Sequence, residues 1–243
     1  MPLDMYLSIV IPAFNESDKI ACDVQAAAAF LAEHQLTGEI IVADDGSTDH
    51  TASTVRHTQL AHQAPLKVIS YPRHRGKGYA LRTGIKETKG DYVLFTDSGL
   101  CVPYKFVLVG LDLIKTNACD IAHGSRKMPD SNITKTHYLH RRICSRIFRR
   151  LVRRFMGIPR HLTDTQCGFK IYRGDIARRL YAQCISDRFM FDVEIILRAV
   201  KQGFRIREFP IAWHSDRDTR FRFVRGSLRS LADLVIIKRA LKT

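Results

Sequence analysis

Short apolar runs alternate with polar segments of helical character through about the first hundred residues. Four runs rich in aliphatic and β-branched residues are typical of buried strands: Leu7–Pro12, Glu39–Ala43, Leu66–Ser70 and Asp91–Thr96. The segments between them predict the helices Ser17–Glu33, Thr48–Leu60 and Tyr79–Thr88, with Ser17 as a helix cap. This alternation predicts an α/β fold with a doubly wound, mostly parallel sheet and helices on both faces.

The pattern is less regular in the second half of the chain. It predicts strands at Asp120–Gly124 and Phe204–Trp213, and a loop leading into a strand over Thr163–Tyr172. It predicts helices at Arg141–Met156, Phe191–Val200 and Ser227–Leu241. We therefore expect one domain over residues 1–215, followed by an amphipathic helical tail over residues 216–243.

Composition adds a strong positive charge to this picture. The 39 Lys and Arg residues exceed the 24 Asp and Glu residues, which gives a formal net charge of +15. Such a balance favours a polyanionic partner: nucleic acid, an anionic membrane or phosphorylated substrates. The six cysteines form no CxxC pair, so we expect free thiols in a reducing cytosol. With neither a secretory signal nor a transmembrane run expected, membrane contact would be peripheral.

Polar residues collect where the predicted parallel strands end, and these strand ends share one edge of a sheet at which ligands bind. The segment Pro12, Ala13, Phe14, Asn15 and Glu16 can hold a nucleobase and ribose, or it is an ordinary strand-to-helix loop. Asp44 or Asp45 can accept a hydrogen bond from a base imino group; alternatively, Asp45 or Ser47 caps a helix.

Gly76 and Lys77 precede a predicted helix without the spacing of a P-loop. A lysine between glycines at a helix start can meet a diphosphate through its charge and the free N–H groups. The alternative is a solvated basic turn.

Four segments in this order resemble the opening of family 2 glycosyltransferases: IVIPAFNE, VADDGSTD, RGKGYALRTG and GDYVLFTD. Three later segments, DTQCGFK, RFMFDVEIILRA and FRIREFPIAW, resemble the dolichyl-phosphate β-glucosyltransferase and polyprenyl-phosphate glycosyltransferase branch. The resemblance covers roughly residues 7 to 213. It implies a GT-A fold, a Rossmann-like central sheet flanked by helices, with a nucleotide-binding half over residues 1–98 and an acceptor half over residues 99–215.

The resemblance also implies an activity. A hexose, with glucose as the first candidate and mannose as the second, would pass from UDP-glucose or GDP-mannose to a polyprenyl or dolichyl phosphate. A single displacement would invert the anomeric centre. Two alternatives stay open: the same fold acting on a glycan or protein hydroxyl, and a non-catalytic module that binds nucleotide sugars.

Asp97 stands where the GT-A fold carries its DxD motif, which implies nucleotide binding and a bound Mg²⁺ or Mn²⁺. The sequence reads Asp97-Ser98-Gly99, so Gly99 replaces the second carboxylate. Cys101, two positions further, is a poor ligand for a hard cation.

A lipid phosphate is already an anion, so it needs cations to position it more than it needs a strong base. Arg126 matches an arginine that faces the acceptor phosphate in related dolichol-phosphate mannose synthases, and Arg141 and Arg142 are further candidates. Asp164 is the first candidate for a catalytic carboxylate at the sugar, followed by Asp192 and Glu194. The alternatives are a structural turn for Asp164 and helix-dipole stabilisation for the other two.

Residues 141–156 and the tail both alternate arginines with apolar residues, as helices at an anionic membrane surface do. The predicted location is thus peripheral, at the cytoplasmic face of a membrane. The first helix could instead pack on the sheet with its arginines in water; nucleic-acid binding is not expected, because no such motif accompanies it. The tail could be interfacial, an oligomer contact or a docked helix.

Overall fold

A computed structural model of the chain, which describes residues 6–134, 150, 152–214 and 223–241, contains a seven-stranded sheet and a two-stranded sheet. The strands are β1 Leu7–Ala13, β2 Gly38–Asp44, β3 Leu66–Ser70, β4 Tyr92–Thr96, β5 Ile121–Ser125, β6 Asn132–Thr134, β7 Phe169–Arg173, β8 Ile206–Pro210 and β9 Ala212–His214. The described helices are α1 Ile20–Glu33, α2 Thr51–His57, α3 Lys77–Lys86, α4 Phe106–Lys115, α5 Gly174–Ala182, α6 Phe191–Lys201 and α7 Phe223–Ala240.

The large sheet has the order β3-β2-β1-β4-β7-β5-β8. All its pairings are parallel except those of β7, which runs antiparallel between β4 and β5. The predicted mostly parallel sheet is therefore confirmed. Because β7 is reversed, the loop that enters it lies at the carboxyl edge of β4, where the Asp97 N–H donates to the Gly168 carbonyl over 2.9 Å.

Two hydrophobic layers cover the two faces of the sheet. Alternate residues of β1 separate into them: Ile9 and Ile11 face α1 and α4, whereas Val10 faces the layer that contains α3, α5 and α6. This period of two is what a strand buried on both faces requires.

Several predicted boundaries are wrong. Ser17 does not cap α1, which begins at Ile20 after an N-cap residue, Lys19, that makes no side-chain capping bond. The predicted strand over residues 204–213 is broken at Ile211 into β8 and β9, and β9 pairs with β6. The chain changes sheets here, which an alternating pattern alone does not reveal.

The two basic helices are described in part. Arg141 and Arg142 lie outside the described residues; residues 152–156 are helical, with Val152 and Met156 buried in the core and Arg154 exposed. Leu234 and Ile237 of α7 are buried in the same layer, so the described part of the tail is docked on the domain. No helix within the described part of the chain is both long and apolar enough to span a bilayer.

Candidate active site

The loops that follow β1 and β2 are joined by hydrogen bonds. The Asn15 N–H donates to the Ser47 hydroxyl and the Thr48 N–H donates to the Asn15 side chain, each over 2.8 Å. The Phe14 ring stacks on His74 with 4.1 Å between centroids. The structure thus brings residues 12–16 together with residues 44–49 and 73–77. Because the sequence predicts nucleotide binding here, we call these three segments the nucleotide loops.

Asp44 and Asp45 are both buried, and their carboxylates hold the nucleotide loops in place. Asp44 accepts hydrogen bonds from the hydroxyls of Ser47 and Ser70. The two oxygens of Asp45 accept from the N–H groups of Arg75 and Gly76 and from the Tyr71 hydroxyl and His74. Both carboxylates therefore bind groups of the protein's own loops. A hydrogen bond from a nucleobase to either of them stays a prediction.

The Gly76–Gly78 segment lies directly against the loop before α6. A Cβ at Gly76, whose φ is +122°, would come within 2.4 Å of the Asp187 carbonyl oxygen, and one at Gly78 within 2.3 Å of the Ser186 carbonyl oxygen. Asp187 also pairs with Arg75 and with Arg82 of α3. Asp187 is a residue that sequence reasoning missed, and it anchors the start of α3 from the second half of the chain.

Lys77 and Asp97 form an ion pair, with 2.5 Å between the lysine Nζ and the Oδ1 of the aspartate. Burial acts to lower the pKa of Lys77, but the carboxylate of Asp97 prevails and the pKa is raised, so the amine is charged at neutral pH. Gly168 is required beside this pair, because a Cβ there would lie 2.0 Å from a carboxylate oxygen of Asp97. The predicted residues Lys77 and Asp97 are thus brought together.

A buried carboxylate from α1, Asp23, fixes the segment that follows Asp97. It accepts hydrogen bonds from the Ser98 hydroxyl over 2.6 Å and from the N–H groups of Gly99 and Leu100. Gly99 has φ of +92°, in the region that favours glycine. Sequence reasoning missed Asp23. A usable signal was its position three residues after Ile20 and four before Ala27, which places a carboxylate on the apolar side of the predicted helix.

These residues do not fit a divalent metal held by a pair of carboxylates. Asp97 is already paired with Lys77, and position 99 presents an N–H group that is bound to Asp23. Burial raises the pKa of the neighbouring Cys167 thiol to about 12, so it is a neutral and soft group rather than a ligand for Mg²⁺ or Mn²⁺. The described residues contain no cluster of three or more His, Cys, Asp or Glu side chains suited to a metal.

Arg126 is held by Asp164, and Glu208 holds the loop that carries Asp164; we call these three residues the arginine clamp. The Arg126 Nε and Nη2 atoms donate to the two oxygens of Asp164 over 2.7 and 2.9 Å, and the Arg126 backbone N–H donates as well. Glu208 accepts from the N–H groups of Thr163 and Asp164 and from the Thr163 hydroxyl. Glu208 thereby fixes the loop that carries Asp164.

The arginine clamp revises the prediction for Asp164. The side chain of Asp164 is 1% exposed, and both of its oxygens are taken by Arg126. Burial acts to raise its pKa, but the Arg126 guanidinium holds it below the usual value. In this geometry Asp164 orients Arg126, whose guanidinium also lies 5.5 Å from the Trp213 ring.

The carboxylates of Asp192 and Glu194 are also bound to other groups of the protein. Asp192 forms a buried ion pair with Lys170. Glu194 is fully buried, and its oxygens accept from the N–H groups of Ile185 and Ser186 and from Arg198. The geometry gives no support to a catalytic Glu194, because its carboxylate holds the loop between α5 and α6.

Comparison with known proteins agrees with this fold. Residues 8–181 match the family described as Glycosyl transferase family 2. The chain belongs to glycosyltransferase family 2. It is similar to the dolichyl-phosphate beta-glucosyltransferase of Saccharomyces cerevisiae, at 31% identity over 98% of this chain and 75% of the relative. The enzyme of the same name from Dictyostelium discoideum is 30% identical over the same shares of the two chains.

Solved structures support the GT-A fold of this family 2 glycosyltransferase. Glucosyl-3-phosphoglycerate synthase from Mycobacterium tuberculosis, in complex with Mn²⁺ and UDP-glucose, superposes with a TM-score of 0.68 at 17% identity, covering 96% of this chain and 79% of that one. Mannosyl-3-phosphoglycerate synthase from Rubrobacter xylanophilus superposes with a TM-score of 0.66 at 17% identity, covering 98% of this chain and 73% of that one. The family and the fold predicted from the sequence are confirmed.

Proposed function

We propose that this glycosyltransferase moves a hexose, with inversion, from a nucleotide diphosphate to a polyprenyl or dolichyl phosphate. The observation that carries the proposal is the arginine clamp, a guanidinium oriented by a buried carboxylate. Burial acts to lower the Arg126 pKa, but the charge and hydrogen bonds of Asp164 prevail and the pKa is raised, so Arg126 is charged. A charge-assisted guanidinium suits a phosphate oxygen better than it suits a sugar hydroxyl.

The proposed reaction needs no catalytic base, which fits the finding that the candidate carboxylates are bound to other protein groups. An oxygen of the lipid phosphate attacks the anomeric carbon, the bond from that carbon to the donor diphosphate breaks, and the nucleoside diphosphate leaves with the electron pair. No proton has to be removed from the acceptor. Asp164, Asp192 and Glu194 are all bound to other groups of the protein, which favours an anionic acceptor over a hydroxyl that needs a base.

The proposed donor is supported by the relatives, whose names specify glucosyl transfer to dolichyl phosphate. UDP-glucose is therefore the first candidate, and GDP-mannose the second. The nucleotide loops, including Pro12–Glu16 and Gly76, would hold the nucleoside, while Lys77 lies where the diphosphate would meet the start of α3.

A direct test is transfer of labelled hexose from UDP-glucose or GDP-mannose to a short-chain polyprenyl phosphate, with the unphosphorylated polyprenol and a glycan as comparison acceptors. We expect product with the phosphate acceptor and UDP-glucose, and none with the alcohol. Equal transfer to the alcohol or the glycan would contradict the proposal. No transfer to any of these, with nucleotide bound, would favour the non-catalytic module.

Arg126→Lys tests the clamp itself, because it keeps the charge but loses the fork geometry. We expect transfer to the lipid phosphate to fall at least about tenfold. The matched control is Arg205→Lys, since Arg205 forms a similar fork to Asp120 at an exposed site. Equal effects of both substitutions would contradict a role of Arg126 at the acceptor.

We further propose peripheral contact with an anionic membrane at its cytoplasmic face. Two large apolar side chains reach the surface here: Phe155 is 45% exposed and Ile236 is 55% exposed. Lys238 of α7 donates to the Phe155 carbonyl, so the two helices are in contact. The exposed cations nearby in sequence are Arg150, Arg154 and Arg239. Apolar side chains among cations suit the headgroup layer. Vesicles that contain anionic lipid should bind the protein more tightly than neutral vesicles, and Phe155→Ser with Ile236→Ser should weaken this binding; binding unaffected by either change would oppose the proposal.

A further inference from the structure

Asp97 of the Lys77–Asp97 pair is the residue at which the family resemblance implies a metal-binding DxD motif, and the mycobacterial synthase of the same fold is solved with Mn²⁺ and UDP-glucose. In that setting a dication offsets the charge that develops on the leaving diphosphate. Here the carboxylate that would receive the dication already lies 2.5 Å from an ammonium group. A dication at Asp97 would be repelled by that ammonium, or would have to displace it.

The segment after Asp97 offers N–H groups rather than oxygen ligands. The Gly99 and Leu100 N–H groups point at Asp23, which is 1% exposed, and the Ser98 hydroxyl donates to the same carboxylate. Restoring a carboxylate at position 99 would require a non-glycine residue at φ of +92°. Both the charge and the backbone of this segment therefore differ from what a metal site needs.

We propose that Lys77 takes the place of the divalent metal, so that the enzyme binds and activates its sugar nucleotide without one. An ammonium has three N–H donors, and Asp97 occupies one of them while fixing the position of the group. In this proposal the remaining donors bind the diphosphate at Lys77, the first residue of α3, where the helix dipole adds positive potential. Lys77 keeps its proton throughout and stabilises the leaving diphosphate as a charged hydrogen-bond donor.

This inference rests on the proposed function and makes a stronger claim about its donor site. The test is binding of UDP, UDP-glucose and GDP, measured by calorimetry and thermal shift, in EDTA and in excess Mn²⁺. We expect dissociation constants in the two conditions that agree within about twofold. The electron paramagnetic resonance signal of Mn²⁺ should be the same with protein and UDP as with UDP alone, because the protein is not expected to bind the metal.

Three variants sharpen the test. Lys77→Met should weaken UDP binding about tenfold or more in EDTA, and Mn²⁺ should not restore it, because a charged hydrogen bond is lost. Lys77→Arg, which keeps a cation beside Asp97, should retain most of the metal-free binding. Lys86→Met, at the exposed end of the same helix, is the control and should bind UDP as the parent protein does.

Two results overturn the inference. If UDP binds only when Mn²⁺ is present, or if Lys77→Met binds UDP in EDTA as well as the parent does, Lys77 does not replace the metal. The first of these leaves the proposed glycosyltransfer intact. If neither UDP nor GDP binds in either condition, the proposed function fails together with the inference.

Discussion

The nucleotide loops and the arginine clamp both rest on buried carboxylates, but they use them differently. In the nucleotide loops, Asp45 accepts mainly from backbone N–H groups and neutral side chains and so sets the path of the chain. In the clamp, Asp164 accepts hydrogen bonds from the Arg126 side chain and so orients a charged guanidinium. Under the proposed function, the loops fixed through backbone groups would hold the base and ribose of the donor, and the site built around a guanidinium would hold the second phosphate.

The comparison implies that the acidic residues at the carboxyl edge of the sheet are scaffold groups rather than ligands. A carboxylate with all its lone-pair sites occupied has little left for a substrate. Removing one should therefore change the position of another group, and the affected substrate should depend on which region it serves.

The largest expected effect comes from breaking the clamp. Arg126→Ala leaves the buried Asp164 charge without its partner and should lower the free energy of unfolding by about 3 kcal/mol. Asp164→Ala should cost less, about 1.5 kcal/mol, because Arg126 is 27% exposed and water can reach it. Urea denaturation of both variants and of the double variant gives a complete cycle; strictly additive losses would show that the two charges are not coupled.

The next effect should be confined to the nucleotide loops. Asp45→Asn replaces two acceptor oxygens by one and puts an N–H₂ group near the N–H groups of residues 75 and 76. We expect a loss of about 2 kcal/mol of stability and weaker UDP binding, with KM for the lipid phosphate unchanged. Asp112→Asn, an exposed change, is the control. A change in KM for the acceptor alone would reverse the proposed division between the regions.

Glu208→Gln should affect the clamp more gently. Glu208 is a positioning residue that acts through the loop carrying Asp164, so it should raise KM for the lipid phosphate about fivefold, equivalent to about 1 kcal/mol. UDP affinity should stay constant, and Glu208→Asp should recover part of the loss. A uniform loss of kcat with no change in KM would indicate a general structural role instead.

The sequence predicts the donor region better than the acceptor region, for a physical reason. Buried parallel strands are continuous apolar runs, and the predicted Leu66–Ser70 coincides with β3. Helix α4 was not predicted, because Phe106–Lys115 begins with an apolar run in which the helical period is hard to see. Helix α5, Gly174–Ala182, was missed as well, and its strong amphipathic pattern was an available signal.

The sequence singled out individual residues of the candidate site, but it did not predict the contacts between them. Lys77, Asp97, Arg126 and Asp164 were each singled out, but their pairing was not predicted. Asp164 meets Arg126 because β7 is inserted antiparallel between β4 and β5, whereas Asp97 meets Lys77 where the end of β4 lies beside the start of α3. Asp23, Asp187 and Glu208 act on segments 44 to 112 residues away. Local patterns carry no information about such long-range partners, so a carboxylate that holds a loop looks the same in sequence as one that binds a ligand.

The smallest expected effect concerns a buried base beside the clamp. His123 in β5 is fully buried, and neither ring nitrogen has a hydrogen-bond partner among the described residues. Burial, with the charge of Lys170, lowers its pKa well below the usual 6.5. The unfolded chain takes up a proton at this residue below pH 6.5 and the folded chain does not, so stability falls as the pH drops. Between pH 7.5 and 5.5 this residue should account for a loss of about 1 kcal/mol. His123→Gln should remove that part of the pH dependence; identical slopes for the two proteins would show that the folded state protonates His123 normally.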